Sequence, residues 1–434
     1  MQASDKIRAI VGRLTRRAAD TVNMDSWPTQ YGLDSLSLLI FREQCEAEFK
    51  VHISDDAWSG MSCLSDVVAF VDRHDGERAR TAAGIDAGGP SESAPAVPCN
   101  EDDFVERLEI GMPLMGINHL SECALLKYLG DLRWRHVTRI SGVSSKLLAD
   151  ATGNRLYPAF FYVESAFPAD RPMASHGEND VLCVVDSMRR YGHSMLDGFS
   201  YLITDVQRET FAAPLKGPAH AAALGIPSIR MSNVFVMQFS GADWLKKGRP
   251  ADGLIEGIHE LQEAPECYGI GKRAEQAGYI DLPDPSYTPL HNAPVEYEYK
   301  VQPDRDVNGV GLLYFANYTI FLDLAEREAL KNTRYPLSDD LINKRTIVNR
   351  KVAYLNNASW KDAMKIKSRS WIKIEATDGG GSDNCCRLFT NHLMHRVSDG
   401  RLMCVCSVSK ILFGVTVEML KESQPALAMS LLDN

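Results

Sequence analysis

Apolar residues recur at helical spacing near the start of the chain. A first set occupies the i, i+3, i+4, i+7 positions of one helix face: Ile7, Ile10, Val11 and Leu14. After a long polar loop, a second helix is predicted to begin at Ser35 and to share one face among Leu36, Leu39, Ile40 and Ala47. A short segment over 49–53, a turn over 54–56 and a last helix over 64–71 complete the pattern of a small helical bundle.

The periodic pattern disappears between residues 76 and 103. Glycine and proline interrupt any helical period there, at Gly84, Gly88, Gly89, Pro90, Pro95 and Pro98. This composition predicts a flexible linker. The linker either lets the N-terminal bundle reach a site elsewhere or simply joins two domains that work separately.

Long strand-like runs dominate the end of the chain. They follow an apolar helix through Ile320, Phe321, Leu324 and Ala325, and they cover residues 346–354, 363–376, 385–397 and 401–413. Turns are predicted over 378–381 and at Asp399-Gly400. One helix followed by long antiparallel strands predicts a sheet wrapped around that helix.

The segment from 104 to 290 follows the same plan in a more divergent form. A helix is predicted over 120–134, and strands are predicted over 156–167, 181–190 and 228–239. Asp197-Gly198 is predicted to form a hairpin turn. The sequence after the linker therefore predicts two helix-and-sheet units, over 104–290 and 291–434.

Composition excludes several classes of function. The chain has 434 residues, a net charge of -10 and 45% hydrophobic residues, which suits a globular protein of about three domains. The acidic charge disfavours a nucleic-acid surface. The ten cysteines lack zinc-site spacing, so we expect reduced thiols and no metal. No apolar stretch is long enough to span a membrane and the N-terminus lacks the pattern of a signal peptide, so we expect a cytoplasmic protein.

The start of the second helix carries a candidate modification site. The stretch reads Tyr31-Gly32-Leu33-Asp34-Ser35-Leu36-Ser37-Leu38-Leu39. Asp34-Ser35 is on one interpretation a helix N-cap. The order of elements and the motif resemble an acyl carrier protein over residues 4–74. That resemblance implies that Ser35 carries a 4'-phosphopantetheine arm, attached by a phosphopantetheinyl transferase.

The two later units resemble the hot-dog fold of thioesterases and dehydratases. The fold class predicted by resemblance is α+β: a carrier bundle over 1–75, a linker over 76–103, and a double hot-dog domain. Hot-dog thioesterases of this type carry an aspartate three residues before a glycine of the loop that precedes the helix. Here Asn308 occupies that position, ahead of Gly311. An amide is no general base but can donate hydrogen bonds to a thioester or an enolate oxygen.

We predict that Asn308 and Gly309 bind substrate. The alternative is that Asn308-Gly309 is only a turn.

Four stretches resemble one more specific family, the bifunctional acyltransferase/decarboxylases of the leinamycin type. They read Leu120-Ser121-Glu122, Gly130-Asp131-Leu132-Arg133-Trp134, Asn154-Arg155-Leu156-Tyr157-Pro158-Ala159-Phe160 and Gly309-Val310-Gly311-Leu312-Leu313-Tyr314-Phe315-Ala316-Asn317-Tyr318. The resemblance implies conversion of methylmalonyl-CoA to a propionyl thioester on a carrier, for polyketide β-alkylation. It also implies polyketide synthase and β-branching enzymes as partners, and it leaves open whether the protein is a monomer or a homodimer.

Tyr157 matches the active-site tyrosine of that family. Either it accepts the acyl group transiently or it donates a hydrogen bond to the enolate. The alternative is a packed strand tyrosine. Pro158 favours an extended Tyr157 at a sheet edge or bulge. Three histidines, His119, His136 and His193, are left out of the site, because a lone histidine is more often structural.

Two other functions remain open from the sequence. One is a hot-dog thioesterase or dehydratase acting on carrier-bound chains, which Asn308 disfavours. The other is a domain without catalysis that docks and shelters an acyl arm.

Overall fold

The computed structural model divides the chain into two compact units, Met1–Ser93 and Ala94–Asn434. It describes residues 3–15, 17–33, 35–49, 51, 53, 57–58, 60–81, 100, 103–117, 119–210, 215, 217–238, 245–375 and 385–432. The predicted turns over 54–56 and 378–381, and most of the predicted linker, lie outside these residues.

The N-terminal unit is a helical bundle, as the sequence predicts. Its helices are α1 (Ala3–Thr15), α2 (Ser35–Phe49) and α3 (Leu64–Thr81), with short 3-10 turns at Ala19–Thr21 and Pro28–Tyr31. Ile7, Ile10 and Val11 are buried on α1, as predicted. On α2 the described buried stripe is Phe41, Cys45 and Phe49, whereas the predicted stripe falls on residues whose side chains are not described. Since α3 extends to Thr81, the predicted linker begins too early, at 76.

The C-terminal unit is built on one antiparallel sheet. Its strands are β1 (Phe104–Glu109), β2 (Tyr157–Ala166), β3 (Val181–Tyr191), β4 (Met195–Thr204), β5 (Ser228–Gln238), β6 (Leu245–Lys247), β7 (Thr288–Pro289), β8 (Val295–Lys300), β9 (Arg345–Tyr354), β10 (Ala363–Glu375), β11 (Cys385–Arg396) and β12 (Leu402–Leu412). The strand order is β1-β3-β4-β5-β2-β9-β12-β11-β10-β7, with β6 beside β5 and β8 beside β10.

Nine described helices accompany this sheet. Two are long: α4 (Glu122–Ser141) and α9 (Asn317–Lys331). The shorter ones are α5 (Asp205–Thr210), α6 (Pro218–Ala223), α7 (Ile270–Ala277), α8 (Pro303–Asp306), α10 (Asp339–Asn343), α11 (Val417–Ser423) and α12 (Pro425–Leu432).

The strand order reveals an internal duplication. The first repeat runs β1-α4-β2-β3-β4-β5 along the chain and pairs its strands in the order β1-β3-β4-β5-β2. The second repeat runs β8-α9-β9-β10-β11-β12 and pairs its strands in the equivalent order, β8-β10-β11-β12-β9. The two meet through antiparallel pairing of β2 and β9, centred on Glu164 and Lys351. The predicted pair of helix-and-sheet units is therefore present, joined into one continuous sheet.

Each long helix packs its apolar side on the sheet of its own repeat. Leu125, Leu129 and Leu132 of α4 contact a core with Val184 and Met231. The helix begins two residues later than predicted because the Ser121 side chain caps it, accepting a hydrogen bond from the backbone N–H of Ala124. It ends at Gly142, whose φ of 67° is readily adopted by glycine.

The predicted hairpin turn at Asp197-Gly198 is wrong. Both residues lie inside β4, and the turn between β3 and β4 occupies residues 192–194. The buried carboxylate of Asp197 is tolerated because Arg230 of the neighbouring strand binds it through two nitrogens, at 3.1 and 2.9 Å. Gly198 marks a close approach: a Cβ there would collide with the Ser187 carbonyl and the Arg133 guanidinium.

The predicted boundary between the repeats, at 290/291, also lies too late. The short strand β7 already pairs with β10 of the second repeat, and Leu290 is buried in the second repeat's outer core. The C-terminal helices α11 and α12, which the sequence pattern did not predict, cover that core with Leu420 and Leu427.

Candidate functional site

A cavity of about 500 Å³ opens where the two repeats separate. Strands β2 and β9 pair only from Tyr162 to Ala166 of β2, so residues 157–161 have no β9 partner. On the other side the chain leaves β9 at Tyr354, and residues 354–357 line the opposite wall. The cavity therefore lies between the start of β2, helix α4 and the loop that precedes α9.

Tyr157 stands at the edge of this cavity as the first residue of β2. It pairs with Val236 of β5, and an irregularity in register at Phe161 lets successive β2 residues face the cavity. The expectation of an edge or bulge near Pro158 agrees with this geometry. The Arg155 guanidinium carbon lies 4.7 Å from the centroid of the Tyr157 ring, a cation–π contact that holds the ring.

Asn308 lines the same cavity, and its side chain also forms a turn. Its Oδ1 accepts hydrogen bonds from the backbone N–H groups of Val310 and Leu312, each at 3.1 Å. The turn interpretation is thus correct for the oxygen, while the amide nitrogen has no described partner and remains available as a donor. Gly311 has a φ of 78°, a backbone conformation that glycine adopts readily and that residues with a Cβ rarely adopt. Gly309 is exposed and is not among the residues that line the cavity.

Aromatic side chains form most of the remaining wall. Phe160 and Phe315 pack with ring centroids 4.1 Å apart, and Tyr318 meets Tyr354 edge-on at 5.0 Å. The Tyr354 hydroxyl donates a hydrogen bond to the Phe315 carbonyl at 3.1 Å. Burial raises the pKa of Tyr318 and Tyr354 above the ordinary value, so both phenols are neutral.

No carboxylate, histidine, cysteine or serine is among the described residues that line this cavity. Its polar groups are tyrosine hydroxyls, the amides of Asn308, Asn356 and Asn357, and the guanidinium groups of Arg396 and Arg401. Asp399 accepts a hydrogen bond from Arg396 Nε at 2.9 Å and also lies 3.4 Å from Nε of Arg401, whose side chain is 64% exposed. As far as the described residues go, the cavity offers hydrogen-bond donors and positive charge but no ordinary general base.

The sequence analysis missed Asp306, a buried carboxylate beside the loop that precedes α9. Tyr299 Oη donates to it at 2.6 Å, the Gln302 N–H at 2.8 Å and Arg305 Nε at 2.9 Å. Burial alone would raise the pKa of Asp306, but these hydrogen bonds lower it overall. With three donors bound, Asp306 fixes the loop and is not a free base. The sequence did contain a signal for this residue, because Asp306 stands three residues before Gly309.

The histidines left out of the site are placed apart from this cavity. His136 is buried, and its Nδ1 lies 2.8 Å from Asp186, which also binds Arg133 at 2.9 Å. His193 is exposed in the turn between β3 and β4. His119 lines a second cavity. Within the described residues no group of three or more acidic, histidine or cysteine side chains is arranged to hold a metal ion. None of the described helices is long and apolar enough to cross a membrane.

Ser35 is the first residue of α2 in the N-terminal unit. Its position at the start of that helix agrees with the sequence-based prediction, and the adjoining Asp34 lies outside the described residues.

Comparison with known proteins gives a family match for the N-terminal unit and, separately, similarities to solved structures that cover most of the chain. The family model described as "Phosphopantetheine attachment site" matches residues 5–71. No curated protein matches the sequence. Among solved structures, a putative oleoyl thioesterase from Lactobacillus plantarum aligns at 11% identity over 74% of this chain and 100% of that chain, with a TM-score of 0.47. An acyl-ACP thioesterase from Bacteroides thetaiotaomicron aligns at 12% identity over 71% and 98%, with a TM-score of 0.41.

A third solved structure, the 12:0-ACP thioesterase from Umbellularia californica, aligns at 11% identity over 72% of this chain and 98% of that chain, with a TM-score of 0.38. The architecture of the C-terminal unit rests on its strand order. Residues 5–71 form a phosphopantetheine-attachment domain, and 4'-phosphopantetheine is the prosthetic group of this chain.

Proposed function

We propose that the C-terminal unit is a double hot-dog acyltransferase/decarboxylase. It converts methylmalonyl-CoA to a propionyl thioester on the phosphopantetheine arm attached to Ser35, as a step of polyketide β-alkylation. The arm supplies a thiol that accepts the acyl group as a thioester. Its partners are the phosphopantetheinyl transferase that modifies Ser35, a polyketide synthase and β-branching enzymes.

One observation carries this proposal: the cavity that contains both Tyr157 and Asn308 has no described carboxylate or histidine in its lining. Hydrolysis needs a base to activate water, whereas loss of carbon dioxide needs none. In decarboxylation the bond from C2 to the carboxylate breaks, and its electron pair moves through C2 to the thioester oxygen. The protein then needs to orient the carboxylate and to stabilise the enolate. A proton from water is added at C2 of the enolate to give the propionyl thioester. The thiol of the arm then attacks the thioester carbonyl, the bond from that carbonyl to the CoA sulfur breaks, and the CoA thiolate takes up the proton lost by the arm thiol.

The cavity residues can meet both needs. The Tyr157 hydroxyl and the free Asn308 amide are donors for the enolate oxygen, and the tyrosine is alternatively the transient acyl acceptor. The aromatic wall lowers the local dielectric constant around those hydrogen bonds, which strengthens them. Two guanidinium groups supply positive charge for the substrate carboxylate or the CoA phosphates: that of the exposed Arg155 over the Tyr157 ring, and that of Arg401, which lies 3.4 Å from Asp399 with its side chain 64% exposed.

The same observation disfavours the alternative of a thioesterase or dehydratase at this cavity. Both reactions require a general base, and the nearby carboxylate of Asp306 is fully occupied by its three donors.

The test is the intact mass of the phosphopantetheinylated chain before and after incubation with methylmalonyl-CoA, with carbon dioxide measured in parallel. A propionyl increment lost on Ser35→Ala, together with released carbon dioxide, supports the proposal. Release of methylmalonic acid and CoA without carbon dioxide would contradict it.

A further inference from the structure

The cavity of about 500 Å³ extends onto the face of the first-repeat sheet that is turned away from α4, which we call the outer face. Met237 of β5 packs with residues of α4, whereas Val234 packs with Cys267 on the opposite side of the sheet. Side chains alternate between the two faces along a strand, so Val236 also lies on the outer face. Both valines line the cavity.

Tyr157 and Lys247 flank Val236 on this outer face. Val236 pairs with Tyr157 of β2 on one side and with Lys247 of β6 on the other, and residues paired across strands share a face. Neighbouring strands are about 4.8 Å apart, which places the Cα atoms of Tyr157 and Lys247 roughly 10 Å from each other. Leu245, two residues before Lys247, faces the same way and lines the cavity. Lys247 therefore stands at the outer rim of the cavity.

Backbone contacts fix β6 in this position. The N–H group of Gly248, directly after Lys247, donates a hydrogen bond to the Phe235 carbonyl at 2.8 Å. Gly248 also lies against Leu156, the residue before Tyr157, and a Cβ at Gly248 would collide with Leu156 Cδ2. The glycine thus lets β6 approach the start of β2 closely.

Two cations at this rim lack acidic partners. Lys247 and Arg155 are exposed, and among the described residues neither has a carboxylate within salt-bridge distance. The Arg155 guanidinium carbon lies 4.7 Å from the centroid of the Tyr157 ring, so both cations lie beside Tyr157. In a chain with a net charge of -10, this local excess of positive charge beside a cavity favours an anionic ligand.

The chemistry of the substrate identifies the anion. In a CoA thioester the pantetheine chain ends in a diphosphate and a nucleotide with a further 3'-phosphate, whereas the carrier arm ends in one phosphodiester. Lysine binds phosphate as a point charge, and the planar guanidinium group of arginine donates hydrogen bonds in pairs. A thioester bound at Tyr157 with its pantetheine directed along the outer face brings these phosphates to the rim.

We propose, on the basis of the function proposed above, that Lys247 and Arg155 form a phosphate-binding site for CoA on the outer face. Lys247 determines specificity, because it binds the phosphates that CoA has and the carrier arm lacks. The acyl donor therefore enters from the outer face as a CoA thioester. Lys247 takes no part in the bond changes themselves.

The test is equilibrium binding of CoA, phosphopantetheine and pantetheine to the full phosphopantetheinylated chain, which needs no turnover. We expect Lys247→Ala to raise the Kd of CoA about fivefold to tenfold, to raise that of phosphopantetheine less than about twofold, and to leave that of pantetheine unchanged. Lys247→Arg, which keeps the charge, should bind CoA as the wild type does. The matched control is Lys246→Ala, since Lys246 is also exposed but pairs with Met237 and faces away from the outer face. This control should retain the wild-type Kd of CoA.

Salt gives a second reading of the same site. In about 1 M sodium chloride the difference between the wild type and Lys247→Ala should vanish, because the screening length falls to about 3 Å. Equal effects of Lys246→Ala and Lys247→Ala would overturn the proposal, as would absence of CoA binding in the wild type. An equal effect of Lys247→Ala on CoA and on phosphopantetheine would overturn it in favour of the carrier arm.

Release of carbon dioxide from methylmalonyl-CoA is measured separately, so that the two proposals fail independently. If CoA binding depends on Lys247 but no carbon dioxide is released, the phosphate site stands and the decarboxylase function is wrong. If carbon dioxide is released while Lys247→Ala binds CoA as tightly as the wild type, the decarboxylase function stands and the phosphate site is wrong.

Discussion

Tyr157 and Asn308 illustrate how a side chain can serve the fold with one atom and remain available with another. The side-chain oxygen of Asn308 accepts the hydrogen bonds that form the turn, while its amide nitrogen has no described partner. The Tyr157 ring is held by Arg155, and the residue lines the cavity. Substitutions that alter only the free atom therefore test function with little effect on folding.

For Tyr157→Phe we expect loss of acylation and a fall in kcat of roughly a hundredfold to a thousandfold, because one donor to the enolate or the acyl acceptor itself is removed. The mass increment on the arm and the rate of carbon dioxide release measure this. Tyr354→Phe is a matched control, since the Tyr354 hydroxyl is already bound to the Phe315 carbonyl. Full activity in Tyr157→Phe would rule out the role of the hydroxyl.

Asn308→Asp separates the two functions of the amide. An aspartate still accepts the hydrogen bonds from Val310 and Leu312, so the melting temperature should hold. It removes the donor and places a negative charge beside the substrate carboxylate, so we expect decarboxylation to fall about a hundredfold. Unchanged kcat would show that Asn308 serves only the turn. Asn308→Ala, which breaks the turn as well, should lower both stability and activity.

At the scale of elements, the cavity depends on how closely α4 approaches the loop before α9. Gly130 permits this approach: a Cβ there would lie 3.0 Å from Cε1 and 3.1 Å from Cζ of the Phe315 ring. The same glycine weakens the helix by up to about 1 kcal/mol relative to alanine. Gly130 therefore makes α4 less stable than alanine would, and the same residue shapes the cavity.

Gly130→Ala should accordingly hold or raise the melting temperature while it pushes the Phe315 ring into the cavity. We expect kcat/KM for methylmalonyl-CoA to fall roughly tenfold to a hundredfold through displacement of the substrate. Thermal unfolding and steady-state kinetics measure the two effects. Gly130→Ser, with one more atom, should lower kcat/KM further; equal activity in all three proteins would show that the contact does not limit the cavity.

At the scale of the whole molecule, attachment and chemistry belong to different compact units. Each unit has its own core, centred on Phe41 and Val67 in the first and on the long helices in the second. Ser35→Ala should therefore abolish loading of the chain while release of carbon dioxide from the CoA thioester continues in part. Intact mass and carbon dioxide release give the two readings. Equal loss of both would show that decarboxylation requires the arm.

Local pattern determined which elements this chain forms. The i, i+3, i+4 spacing of Ile7, Ile10 and Val11 predicted α1, and the long apolar runs of the second repeat predicted β9 to β12 within one or two residues. Such patterns are visible because each element buries one face, and burial is periodic in the sequence. The serine at the start of α2 was visible for a similar reason, as a motif of adjacent residues.

Some features of this protein follow only from its tertiary structure and are not encoded in the local sequence pattern. Asp197-Gly198 has the composition of a turn but lies in a strand, because Arg230 from another strand neutralises the aspartate and the Arg133 guanidinium fills the space beside the glycine. Tyr157 and Asn308 line the same cavity because β2 pairs with β9. That pairing joins distant segments of the chain, and no local rule specifies it. The sequence thus determined the elements and candidate residues, and long-range strand pairing decided which of those residues share a cavity.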